Sequence, residues 1–256
     1  MTADVLVIPT RRANSNHAEV ARSVGRDIIG GRFAEGAKLP GDSDLTARFG
    51  VSRPVLREAV KTLVAKGLLS TKARVGTVVR ERAAWNMFDP DVLAWHLDAG
   101  IDKRFLRDLA EIRLAVEPRA AALAAERRTE ADLAIMRQAV ERMKAEPGTA
   151  RAFAESDLAF HLVVASASGN AFMRSIGAVI EVALRASFAL SAPDDDLEHD
   201  VVVIAHERIV EAIAAGSGEE AAAAMTNVIF NGLRRQGATD RPGALAAAGA
   251  EIAART

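Results

Sequence analysis

The stretch VSRPVLREAVKTLVAKG, residues 51–67, decides how the front of the chain reads. Ser52 is an N-cap residue type, Pro54 stands in the first turn where its missing N–H costs little, and Gly67 closes the helix. Leu56, Val60, Leu63 and Val64 recur at helical spacing and predict the buried stripe. Arg53, Arg57 and Lys61 follow at four-residue steps along its flank. Upstream, LPGDSDLTARFG (39–50) predicts a turn at Pro40 and Gly41, then a short helix ending at Gly50. Before it, HAEVARSVGRDIIGGRF (17–33) carries Val20, Val24, Ile28 and Ile29 on one face and stops at Gly30 and Gly31. Downstream, LLSTKARVGTVVRE (68–81) reads as two short strands around a turn near Gly76.

Helix, short helix, tight turn, helix and β-hairpin make a winged helix-turn-helix. In that fold the helix after Ser52 enters the major groove with its first turn at the base edges. Arginine suits both phosphate and guanine, because its planar fork donates two parallel hydrogen bonds. Lys72 and Arg74 fall at the wing tip, where flanking phosphates would lie. Charge agrees. Residues 1–82 hold 15 Lys and Arg against 8 Asp and Glu, a net of +7. The other 18 basic residues face 26 acids in residues 83–256, a net of −8. A small basic domain beside a larger acidic one points to a polyanion partner at the front.

Residues 31–79, GRFAEGAKLPGDSDLTARFGVSRPVLREAVKTLVAKGLLSTKARVGTVV, resemble the GntR superfamily of bacterial transcription regulators nearly throughout. The resemblance places Ser52, Arg53, Arg57, Lys61 and Gly76 at DNA-contacting positions. Many members carry a basic residue between the two acids after the Leu-Pro pair. Here Ser43 stands between Asp42 and Asp44, so that contact is expected to be missing.

The rest of the chain reads mainly as helix. Alanine is abundant, aromatics make up 4% and cysteine is absent, which excludes disulfides and thiolate metal sites. No apolar run approaches membrane-spanning length and the N-terminus lacks the order of a signal peptide, so a soluble cytoplasmic protein without membrane partners is expected. The expected organisation is a tail over 1–14, a winged helix-turn-helix over 15–82, a linker with a short helix over 83–100, an antiparallel all-α bundle over 101–236 and a tail over 237–256.

Enzyme motifs are thin. The chain has no Gly-rich phosphate loop after a strand, no G-x-S-x-G and no H-E-x-x-H; in AHERIVEA, Val210 takes the second histidine's place. What stands out is DLAFH (157–161), which puts Asp157 and His161 one helical turn apart on one face, and His206 two helices on. A solvated pair, a core hydrogen bond and two ligands of a buried ion all fit that spacing. A metal-dependent hydrolase with an accessory DNA-binding domain is the rival from another class.

EIRLAVEPRAAALAA (111–125), DLAFHLVVASASGN (157–170) and AHERIVEAI (205–213) resemble the helical effector domain, FCD, of the FadR subfamily. The resemblance implies a divalent metal, zinc first and nickel, manganese or iron as alternatives, held by Asp157, His161 and His206. Arg113 would clamp an effector carboxylate, with the metal ligands lining the same site. Relatives with a further histidine carry it three residues after a methionine in the last helix. Aligned on Met225 that position is Val228, so a three-residue site is expected, with His199 a remote substitute from the acidic loop. WNMFDPDVLAWHL (85–97) looks like repressors of D-galactonate catabolism. The implied protein is a homodimeric repressor on a pseudo-palindromic operator, released by a sugar acid. Lactate, gluconate or a dicarboxylate are alternative effectors.

Overall fold

The structure is a computed structural model that describes residues 16–145, 150–190, 193 and 196–237. The expected tail at 1–14 and, except for Gly237, the one at 237–256 lie outside the described residues. The chain divides into two compact units, Met1–Ala99 and Gly100–Thr256.

In the first unit α1 (Asn16–Ile29), α2 (Asp42–Phe49) and α3 (Arg53–Ala65) precede a hairpin of β1 (Leu69–Lys72) and β2 (Gly76–Val79). The strands are antiparallel, pairing Leu69 with Val79 and Lys72 with Gly76. Gly50 adopts the left-handed conformation, φ 63°, that lets the tight turn between α2 and α3 follow directly on the helix end. The stripe of α3 differs from the sequence reading. Leu56, Ala59 and Leu63 are buried, whereas Val60 is only partly buried and Val64 is exposed. Ala59 takes a place in the core that a search for large apolar residues passes over. The hairpin also gains an edge: Leu39 N–H donates to Thr77 O at 2.9 Å and Lys38 bridges Val78.

Helix α4 (Pro90–Ala99) is the short helix expected in the stretch between the domains, and that stretch also closes the first core. Trp85, Val92 and Trp95 pack with Val24, Ile28, Leu56 and Leu63. Lys66, just past α3, lies 2.7 and 2.8 Å from the Asp89 carboxylate oxygens and 2.7 Å from Asp91 Oδ2, with its Nζ 5.7 Å from the centre of the Trp95 ring. A Cβ on Gly25 would run into the Trp95 indole. Gly25→Ala should therefore destabilise this unit by about 1–3 kcal/mol, the usual range for overpacking. Thermal unfolding checks this, and an unchanged transition would show that the indole moves aside freely.

The second unit packs α5 (Lys103–Arg127), α6 (Glu130–Ala145), α7 (Ala150–Ala167), α8 (Ala171–Leu190), α9 (Asp196–Ala215) and α10 (Gly218–Arg235). Asp102 caps α5 by accepting from Phe105 N–H at 2.6 Å. Thr129 and Asp132 exchange side-chain-to-backbone hydrogen bonds at the start of α6, 2.8 and 3.2 Å long. Met136, Met143, Phe160, Ile209, Ile213 and Met225 are fully buried in the shared core. Among the described residues no helix is long and apolar enough to cross a membrane.

Candidate DNA-binding helix and buried Asp-His-His site

Helix α3 presents Ser52, Arg53, Arg57 and Lys61 to solvent. Ser52 sits at the N-cap position but its side chain makes no capping bond, which leaves the hydroxyl and the first N–H groups of the helix available to an anion. Arg53 and Arg57 have no ion-pair partner among the described residues, whereas Lys61 Nζ lies 2.8 Å from Glu58 Oε1. The wing tip holds Lys72, Arg74 and Gly76, all exposed. Gly76 has φ 104°, a conformation L side chains rarely adopt, and Lys38 covers it. Ser43 is exposed on α2 between its two acids.

In the helical unit, Asp157 and His161 of α7 meet His206 of α9, and all three are buried. Asp157 Oδ1 lies 3.2 Å from His161 Nε2 and 3.1 Å from His206 Nε2. The far ring nitrogens are also placed. His206 Nδ1 donates to Val202 O, 2.8 Å away on the preceding turn. His161 Nδ1 sits 2.6 Å from Glu117 Oε2, close enough to ion-pair but off the axis of an aligned hydrogen bond. Phe160 packs edge-on against His206, and Phe188 stacks on His161 at a centroid distance of 5.0 and 5.1 Å respectively.

Arg113 arrives from α5. Its Nε donates to Glu117 Oε1 at 2.7 Å, one Nη to Glu117 Oε2 at 3.3 Å, and its guanidinium lies over the Phe188 ring at 4.6 Å. Burial would push Glu117 up, but Arg113 and His161 outweigh it and bring its carboxyl down to about 2. Burial would push the His161 imidazole down, but the Glu117 and Asp157 carboxylates outweigh it and raise it to about 8. Asp157, where burial also works to raise the carboxyl, is held well below the usual range by the His161 and His206 hydrogen bonds and charges. Burial lowers Arg235 near the end of α10, and the Asp157 carboxylate pulls it back.

This donor set fits a divalent ion. Asp157, His161 and His206 each offer an atom within 4.8 Å of the others. Ligands about 2.0–2.1 Å from a tetrahedral zinc lie roughly 3.3 Å apart, close to the two separations seen here. With a proton on His206 Nδ1, its Nε2 lone pair points at a carboxylate oxygen, a contact that needs a proton or a cation between. A carboxylate and a backbone carbonyl beside the outer ring nitrogens are the partners that orient metal-bound imidazoles.

The sequence residues Arg113, Asp157, His161 and His206 therefore come together. Val228 is buried in the core of the helical unit, and no fourth acid or histidine joins the set among the described residues. His199 does not serve. It stands on α9, not in an acidic loop, because the helix begins at Asp196, and its Nε2 is taken by Met143 O at 2.8 Å. Of the acid run 194–196, only Asp196 is among the described residues. The sequence reading passed over Glu117, although it lies one turn beyond Arg113 on the same face, and it passed over Phe188 and Arg235. Only Glu117 had a signal, the i, i+4 spacing of opposite charges.

A basic winged helix on one unit and a buried Asp-His-His cluster on the other are the features of a DNA-binding transcription regulator. The chain belongs to the gntR family of bacterial regulatory proteins, whose family pattern matches residues 16–79, and it carries an FCD domain over residues 108–231. It is 32% identical to the galactonate operon transcriptional repressor of Escherichia coli K12 over 213 residues, 83% of this chain and 93% of that protein. It is also 32% identical to the HTH-type transcriptional regulator LutR of Bacillus subtilis 168, over 80% of this chain and 93% of the relative. The solved structure of Lar, which controls expression of the Listeria monocytogenes agr system, shares the fold with a TM-score of 0.58 at 17% identity, covering 92% of this chain and 98% of that one. The relatives and both domains are those of transcription regulators, so the chain is not an enzyme and the hydrolase reading falls.

Proposed function

We propose that the chain is a homodimeric cytoplasmic repressor. It binds a pseudo-palindromic operator, one half-site per subunit, and is released by a small carboxylic acid held at a divalent metal in the helical unit. Arg53 and Arg57 read base edges, Ser52 and the start of α3 hold a phosphate, and Lys61 and the wing around Gly76 add backbone contacts. Lys61 contributes least, because Glu58 already neutralises it. The observation that carries the effector half is Asp157 Oδ1 set between two buried imidazole nitrogens, with Arg113 close by.

Asp157, His161 and His206 would hold the ion, zinc first by donor type, with nickel, manganese or iron also suited. A bound ion supplies a Lewis-acid anchor for an acid's carboxylate and 2-hydroxyl oxygens. Arg113 takes the same carboxylate by exchanging its pairing with Glu117. Similarity to the Escherichia coli repressor nominates a D-galactonate-like sugar acid, with lactate, gluconate or a dicarboxylate as alternatives. An acid releases the DNA only to the extent that it prefers one of two states of the dimer.

Arg113→Ala should leave operator affinity without acid unchanged and abolish release by acid, measured by fluorescence anisotropy on labelled operator DNA. Acid release that survives in Arg113→Ala removes the clamp. Glu117→Gln keeps the shape but weakens the charge on the outer face of His161. Metal affinity, read by competition with a chromophoric chelator, should fall about 10–100-fold, the usual cost of losing an outer partner. An unchanged affinity would mean that Glu117 serves only Arg113.

A further inference from the structure

The charges around the Asp-His-His cluster do not cancel once an ion is added. The buried ionisable side chains there are Arg113, Asp157, His161 and His206, and Glu117 joins them with its side chain 13% exposed. Arg113 is positive, Asp157 and Glu117 are negative, and an imidazole that gives a lone pair to an ion is neutral. The protein thus brings one surplus negative charge, and a divalent ion turns it into one surplus positive charge. Neighbouring charges leave this balance in place among the described residues. Arg235, whose charge reaches Asp157, also faces Glu198. The ionisable residues of α8 are Arg174, Glu181 and Arg185; the last two pair at 2.8 Å and Arg174 is exposed. Buried Ser187 is uncharged, and its Oγ accepts from Gln236 at 2.8 Å.

We propose that the site selects acids with a single negative charge over those with two, and that Glu117 sets this selection. The proposal rests on the carboxylate-at-metal reading above and adds the charge of the acid. One carboxylate cancels the surplus positive charge. A second leaves a net negative charge away from water, which is costly unless a further cation pairs with it. Glu117 makes the difference. It accepts two hydrogen bonds from Arg113, at 2.7 and 3.3 Å, and its Oε2 lies 2.6 Å from His161 Nδ1. It is a fixed negative charge beside both the clamp and a metal ligand. A second carboxylate on the order of 6–8 Å from it is repelled, at an effective dielectric constant of about 20, by enough to lower affinity at least tenfold.

The test is calorimetry of the zinc-loaded full chain at neutral pH with lactate, D-galactonate, tartronate and tartronate monoamide. The monoamide has nearly the shape of tartronate and one charge fewer. Wild type should bind the monoamide at least tenfold more tightly than tartronate. Glu117→Gln, at a zinc concentration that keeps it loaded, should shift that ratio at least tenfold toward tartronate. A change in packing alone would move both affinities together and leave the ratio where it was. Tartronate as tight as its monoamide in wild type overturns the proposal, and so does a ratio unmoved by Glu117→Gln. Binding of lactate or galactonate without the monoamide makes size the criterion and overturns it as well. In these three cases the carboxylate site stands if Arg113→Ala abolishes the binding that is seen. Absence of binding by all four acids overturns the proposal and the carboxylate site together.

Discussion

Asp157→Asn should empty the metal site. The substitution keeps the shape of the side chain and removes the anionic ligand that lies 3.1–3.2 Å from both imidazoles. The loss of affinity should exceed the 10–100-fold expected for an outer partner, because a ligand itself is gone. Elemental analysis of dialysed protein then finds about one ion per chain in the wild type and none in Asp157→Asn, at equal circular dichroism. Equal metal content in both would show that the three residues are a hydrogen-bonded cluster only. Proton competition gives a second signature. His161 is raised to about 8, so below that pH a proton occupies the imidazole the ion needs. Metal affinity should climb from pH 6 to about 8 and then level. In the metal-free protein the sign reverses: a folded value above the unfolded one contributes stability that is full below about 6.5 and is lost as pH rises through about 8.

Arg53→Ala and Arg57→Ala should each weaken operator binding by about 1–3 kcal/mol if each guanidinium makes a two-pronged base contact. The double variant approaches the affinity for random DNA. Lys61→Ala should act differently, lowering affinity slightly on any sequence and reducing the salt slope by about one. Arg53→Ala bound as tightly as wild type, by anisotropy at fixed salt, would remove α3 as the reading helix. The isolated positions of the two arginines are why a large effect is expected. Neither has an ion-pair partner to leave among the described residues, whereas Lys61 must leave Glu58.

The winged-helix order was legible because each boundary carries its own chemistry: Gly50 at a left-handed turn, Pro54 inside a first turn, Gly76 at a wing. The Asp157–His161 pair was legible because helical spacing alone places both side chains on one face. What stayed hidden depends on three-dimensional neighbours. Ala59 is buried where Val60 is only partly buried and Val64 is exposed, and a search for large apolar residues passes over an alanine. The bridge of Lys38 to Val78 is a single rung and has no periodicity to read. Trp85 and Trp95 sit in a stretch whose acids and single proline mimic a linker, yet both complete the first core, Trp95 against Gly25 and Lys66. Helix α9 starts at Asp196, five residues before its apolar run, so His199 belongs to a helix and faces Met143. Glu117 was hidden by its ordinary spacing from Arg113; only the fold shows that its other oxygen meets His161.

Under the proposed function, an acid controls DNA binding through an ion that Asp157, His161 and His206 would hold. The direct measurement is anisotropy of labelled DNA from the region upstream of its own gene, titrated with lactate and with D-galactonate, before and after complete chelation. At least one acid should raise the apparent Kd with the metal in place, chelation should abolish that response, and metal-free protein should still bind the DNA. A response of full size after complete metal removal would contradict the proposed function.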